Sequence, residues 1–311
     1  MTRVLVLLVL FVVAGAEVSS IQNPPAENPQ APVVELDAVA FDSQGNPVTD
    51  LKPADLEVWI GGYRVPIDTF EAVMPDADRG ERSIVLLLDD VTLAQMVVPR
   101  AREAARRFVT GMSSGDQVAI ATLNGASTES TGDRARLLQS INAYNVRLTG
   151  VLRVEDLSAQ VLETIASLAR QLETASGRRK TIVAIGSAWL FDTPIPPPTV
   201  SRDLRKEWTA AMRAMASANV TLYVIDPAGV EMSRMVGGSS GFARETGGHA
   251  FVTTNDMEGA ADRIMREAGS YYLIGVADPP VGRKADLREL DVRVLRRGVT
   301  IRARKAVPGV R

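Results

Sequence analysis

The chain has 311 residues, 46% of them hydrophobic and 23% charged, with a formal net charge of −2 at pH 7. That composition supplies a genuine core, and the near-neutral charge excludes a dedicated nucleic-acid binder. The absence of cysteine and the single histidine exclude a disulfide framework, a thiolate metal site and a zinc cluster.

The first residues read as a secretory signal. Arg3 supplies the positive start, Val4 to Val13 the apolar stretch, and Ala14-Gly15-Ala16 the cleavage site. Residues 1–16 are therefore expected to be removed. The apolar stretch stops short of the roughly 20 residues that a bilayer span requires, and no later run is long enough. The mature chain is expected to be exported, to the periplasm or the medium, with no membrane span. Residues 17–32 carry Pro24, Pro25, Pro29 and Pro32 and read as an extended linker.

Residues 33–78 read as a small β element. Strands are expected over Val33–Phe41, Leu56–Ile60 and Val65–Phe70, with turns at Asp42–Pro47 and Gly61-Gly62. Forty residues of strand cannot stand alone, so the unit must pack on a neighbour. Residues 79–268 change rhythm. The continuous apolar run Ser83–Leu88 predicts a strand buried on both faces, and Asp116–Leu123, Thr181–Ile185, Val220–Ile225 and Gly248–Thr253 read as further strands. Between them, 3- and 4-residue spacings predict helices over Val97–Thr110, Arg134–Ile141, Glu155–Leu172, a stretch beginning near Ser201, and Met257–Ala268. Strands alternating with amphipathic helices imply an α/β fold, a doubly wound and mostly parallel sheet with helices on both faces. Residues 269–311 return to strands, Ser270–Val276, Leu287–Leu295 and Val299–Arg304, expected to pair with the N-terminal β element. The arginines of this tail are expected on a solvated strand face, with a basic binding patch as the alternative.

In open α/β sheets ligands bind beyond the carboxyl ends of the strands. The first buried strand ends in Asp89-Asp90-Val91-Thr92, the second leads to Thr131-Gly-Asp133, and the third ends at Gly186-Ser187. Carboxylates and hydroxyls without imidazole or thiol suit a hard cation, Mg²⁺ or Ca²⁺. The plainer reading makes the aspartates and Thr131 helix caps.

An ordered set of segments resembles the von Willebrand factor A domain, in the VWFA-related form frequent in Acidobacteria. The set comprises Ile84-Val-Leu-Leu-Leu-Asp-Asp90, Gly115-Asp116-Gln-Val-Ala119, Thr131-Gly-Asp133, Leu222-Tyr-Val-Ile-Asp-Pro-Ala-Gly229, Thr246-Gly-Gly248 and Tyr272-Leu-Ile-Gly275. The resemblance implies a Rossmann-like fold and a non-enzymatic module that binds another protein, here another exported or envelope protein. It also implies a metal-ion-dependent adhesion site of pattern D-x-S-x-S with a loop threonine. Mapped onto this chain, the ligands would be Asp89, Asp90, Thr92 and Thr131, while Val91 and Leu93 stand where Asp89 as leading residue would require hydroxyls. A metal-free interaction protein using residues 187–200 or the basic tail is the alternative.

Two other features point elsewhere. Gly237-Gly-Ser-Ser-Gly241 fits the hydrolase elbow G-x-S-x-G, but lacks the strand immediately before it. The proline-rich run Phe191–Pro198 is a connector on the expected binding side.

Overall fold

Strands are numbered β1 to β13 and helices α1 to α6 in chain order. The computed structural model describes residues 33–74, 82–147, 153–175, 179–187, 204–230, 241–252, 254–279 and 284–309. The signal and linker segments, Ser201, the run Phe191–Pro198 and all but Gly241 of the Gly/Ser segment lie outside these residues.

β5 (Arg82–Leu88) is buried at every position. It is an inner strand, flanked on both sides within the sheet and covered on both faces. β6 (Gln117–Thr122) pairs parallel on one side and β7 (Arg179–Ile185) on the other; β8 (Val220–Ile225) and the short β9 (Ala250–Phe251) extend the sheet beyond β7. The order is β6-β5-β7-β8-β9. Alternate side chains of a strand face opposite ways. Ile84, Leu86 and Leu88 therefore meet α1 (Val98–Thr110), α2 (Arg134–Ala143) and α6 (Met257–Gly269). Val85 and Leu87 meet α3 (Val154–Glu173), α4 (Arg205–Ser217) and the short α5 (Gly241–Glu245). This is the α/β arrangement that the apolar runs predict. The last strand is shorter than the expected Gly248–Thr253, and α4 starts after Leu204 without a side-chain cap.

The flanking segments form a β-sandwich. One sheet has the order β12-β1-β10-β4 and the other β13-β11-β2-β3. The strands are β1 (Val33–Phe41), β2 (Leu56–Ile60), β3 (Tyr63–Val65), β4 (Ile67–Val73), β10 (Tyr271–Ala277), β11 (Leu287–Val294), β12 (Thr300–Ala303) and β13 (Ala306–Pro308). N- and C-terminal strands interleave antiparallel, β1 between β10 and β12, and β2 beside β11. The single strand expected over Val65–Phe70 is split at Pro66, which has no N–H to give a ladder, and β3 and β4 pass into different sheets. Between β2 and β3, Gly61 and Gly62 take φ of 57° and 82°, left-handed values that a two-residue hairpin of mirror-image type requires. Leu36, Ala38, Val58, Ile60, Ile274, Val276, Leu290 and Val292 fill the sandwich.

The tail arginines are not a free solvated row. Arg288 pairs with the buried Asp278, Arg302 with the buried Glu267, Arg293 with Asp291 and Arg296 with Asp50. Asp50 and Glu267 come from other segments and Asp278 and Asp291 from the tail itself. Arg288 is thereby drawn inside and Arg302 mostly so, which corrects the expectation for these two, while Arg293, Arg296 and Arg297 stay on an exposed face.

The outer side of the β1/β10 sheet, with Val39, Phe41 and Tyr271, lies against the amino edge of the parallel sheet. Asp37 of β1 meets Arg179, the first residue of β7, and Arg302 of β12 meets Glu267 near the end of α6. The sandwich therefore caps the amino edge, and the carboxyl edge points away from it.

Candidate functional site

β5 and β6 are consecutive in the chain, yet β7 lies on the other side of β5. The connection reverses there, and a crevice is expected at the carboxyl ends of β5 and β7. Asp89 and Asp90 stand at that point, 0% and 3% exposed. As neighbours in extended chain they face opposite ways. Asp89 turns toward β7: its Oδ1 accepts N–H bonds from Val91 (3.0 Å) and Thr92 (2.8 Å), and its Oδ2 accepts from the Thr92 hydroxyl (2.5 Å) and from the Ser187 N–H (3.1 Å). Asp90 turns toward β6, where its two oxygens accept from the backbone and side-chain nitrogens of Asn124, each at 3.1 Å. Each carboxylate fastens the loop after β5 to the loop of a different neighbouring strand.

Supporting contacts fix the same point. A Cβ at Gly186 would sit 2.3 Å from the Asp89 Cβ, so only glycine lets the aspartate lie across the end of β7. The buried Tyr144 hydroxyl donates to the Asp89 carbonyl at 2.6 Å, and the Arg147 N–H donates to the Asp90 carbonyl at 2.8 Å. Burial, and then the charges of Asp89 and Asp90, push the Tyr144 phenol well above its ordinary value. Arg102 of α1 in turn donates to the Tyr144 carbonyl.

Of the four residues named from the sequence, Asp89 and Thr92 come together, with the Ser187 hydroxyl 2.9 Å from Thr92 Oγ1. Asp90 is back to back with them. Thr131 is elsewhere. The segment after β6 runs back along that strand, and Thr131 pairs with Val118, which is aligned with Ile84. Ile84 precedes Asp89 by enough residues to put Thr131 about 16 Å away along the strand, at ~3.3 Å per residue. Its hydroxyl accepts from the Asp133 N–H, and Asp133, not Thr131, caps α2 by accepting from the Arg136 N–H.

These residues do not fit a hard-cation site. An ionised carboxylate has about four lone-pair positions, and Asp89 already accepts four hydrogen bonds. Leu93 is buried among α1 residues and Val91 packs on the opposite core, so the two hydroxyl positions of the pattern are apolar packing. Among the described residues no group of three His, Asp or Glu converges. Gly186, Ser187, Asn124 and Tyr144 complete the site. The first three stand at strand ends in the sequence, whereas Tyr144 has no local signal beyond being an aromatic residue after a helix.

The single histidine plays no part here. His249 precedes β9 and packs edge-on against Phe251 (ring centroids 4.8 Å apart); burial, and then the neighbouring Arg302, push its imidazole below the usual value.

No protein-family model matches the chain, and no curated protein matches it in sequence. Among solved structures it is similar to an aerotolerance-related membrane protein from Bacteroides fragilis bearing multiple mutations to serines. The identity there is 15% and the TM-score 0.42, over 60% of this chain and 98% of that one. It is also similar to the N-terminal domain of TFIIH p34, with 14% identity and a TM-score of 0.34, over 61% of this chain and 99% of that one. Neither likeness bears on the chemistry of the carboxyl edge.

Proposed function

We propose that the chain is a protein-binding module of the von Willebrand factor A type, which recognises another exported or envelope protein at the carboxyl edge of its parallel sheet without a bound cation. The observation that carries this reading is the divergence of Asp89 and Asp90. Asp89 already accepts four hydrogen bonds from the protein and Asp90 accepts two from Asn124, so both carboxylates hold loops in place. The loop after β5, residues 91–97, presents Met96 at 82% exposure, with the exposed Gln95 anchored to Asn145 at 2.8 Å. A pre-ordered loop loses little entropy on binding, and an adaptable thioether suits a contact surface. The signal sequence favours an exported setting, and no helix among the described residues is long and apolar enough to cross a membrane. A binding role is favoured over catalysis because Asp89 and the Thr92 hydroxyl direct their polar atoms to each other, to the Ser187 hydroxyl and to loop N–H groups.

Photo-crosslinking tests the reading. A photoreactive residue in place of Met96 should capture a discrete protein in the native envelope or medium, whereas one in place of the exposed Tyr63 on the sandwich should not. Capture from Tyr63 alone would overturn it. Thermal unfolding tests the cation. Saturation at a hundred times the dissociation constant adds about 2.7 kcal/mol, several degrees. No shift is expected between EDTA and Mg²⁺, Ca²⁺ or Mn²⁺. A shift that Thr92→Val abolishes would restore the adhesion-site reading.

A further inference from the structure

The seam between the sandwich and the parallel sheet differs from both cores it separates. Each core is apolar, but the seam carries buried ions. Asp37 is 6% exposed, Arg179 2% and Arg304 8%. Asp37 projects from the outer side of β1, between Leu36 and Ala38, which point into the sandwich. Its Oδ2 accepts from Arg179 Nη1 at 2.5 Å and its Oδ1 from Asn219 Nδ2 at 3.0 Å. The Arg179 guanidinium lies over the Tyr271 ring, 4.8 Å from its centroid. Arg304 reaches across in the same way, donating to the Ala216 carbonyl at the end of α4 and to the Glu35 carbonyl of β1.

Asn219 is the only described residue other than glycine with a positive φ, 52°. It occupies the tight turn between α4 and β8, and asparagine tolerates this left-handed conformation better than most residues. That backbone setting brings its amide to Asp37. The apolar part of the seam lies in two patches: Val39, Phe41 and Tyr271 with Val73 and Leu273 partly buried beside them, and Leu287 of β11 with Ala306 of β13 against the α4 side.

We propose that Asp37, Arg179 and Asn219 form a clasp that makes the sandwich and the α/β layers unfold as one unit. Two units joined by a modest apolar contact would otherwise open separately. A buried ion pair adds little net stability against an apolar replacement, but removing one partner is strongly unfavourable because it strands a buried charge. The pair therefore acts on the seam: when the seam opens, both ions gain water, and while it is closed each requires the other. The clasp holds the amino edge rigid, so the carboxyl edge is presented on a fixed base.

The chain carries its own reporters, Trp59 in β2 of the sandwich and Trp208 against the α3/α4 core, with Trp189 as the third tryptophan. Two full-length chains, each with Trp189→Phe and one of the other two tryptophans replaced by Phe, would be unfolded in urea and followed by fluorescence. The two curves should share one midpoint. Arg179→Met should separate them. Asn219→Gly is the milder variant, since glycine accepts the φ of 52° and only the amide is lost; it should also separate them, even if Arg179→Met fails to fold. Leu162→Ala, remote from the seam, should move both midpoints together. Non-coincident curves in the parent chains, or equal shifts of both curves in Asn219→Gly, would overturn the clasp.

Discussion

Gly186 has no room for a side chain, and that single fact ties the end of β7 to Asp89. The approach of 2.3 Å from a built Cβ to the Asp89 Cβ is impossible for real atoms, so Gly186→Ala must displace the aspartate or the strand. Overpacking of this kind costs about 1–3 kcal/mol, and a calorimetric midpoint several degrees lower is the expected result. Asp89→Asn leaves one carbonyl oxygen to serve donors that two oxygens now accept. The expected loss is about 1–3 kcal/mol, read from urea unfolding. Tyrosine ionisation gives a pH-dependent counterpart. Burial raises the phenols of Tyr144 and Tyr272, and burial followed by Glu267 raises that of Tyr223, to about 12. The folded chain thus keeps protons that the unfolded chain releases near pH 10. This stabilisation is complete below pH 10 and is lost as pH rises through the folded values. The urea midpoint should fall above pH 10, and Tyr144→Phe should make that fall shallower; an unchanged slope would contradict the placement of Tyr144.

At the scale of elements, α1 and α6 contribute alanines to one shared core: Ala101, Ala104 and Ala105 from α1, with Ala260 and Ala261 from α6. Ala104→Leu should overpack this cluster and cost about 1–3 kcal/mol. The ion pair between the same helices, Arg107 to Asp262, is partly open to solvent, and Asp262→Ala should leave the midpoint nearly unchanged. Thermal unfolding of the two variants checks the contrast. These helices were legible from their spacing, and Ser83–Leu88 was legible as a buried strand because Ile84 to Leu88 are apolar on both faces. The site was legible only in part. Strand alternation alone foretells that Asp89 and Asp90 diverge, but the partners on each side, Asn124 and Ser187, come from strand order. Thr131 was misplaced because residues 126–131 turn at Gly125 and run back along β6 as a local hairpin, which a loop reading of this segment does not include. The tail arginines matched an alternating strand, while their acidic partners Asp50 and Glu267 lie far away in the chain.

For the whole molecule, the order of assembly in space does not follow the order in sequence. Leu290 and Val292 of β11 complete the core behind Val58 and Ile60 of β2. Removing residues 286–311 should strip β2 of its β11 partner and leave an apolar sheet face in water, so the shortened chain is expected in the insoluble fraction, or as large aggregates on size exclusion. A soluble monomer would mean that the first strands do not require the last.

β1 also has a mechanical meaning. It is an inner strand, paired antiparallel with β10 from Val33 to Ala38 and with β12 from Ala38 to Phe41. Tension entering at Val33 along the strand would load both ladders in shear, where bonds lying across the pull must fail together rather than one after another. Tension entering at the carboxyl edge would reach the same strand through Arg179 and Asp37. A chain held at Val33 and gripped at Met96 would carry that load on both ladders of β1 at once.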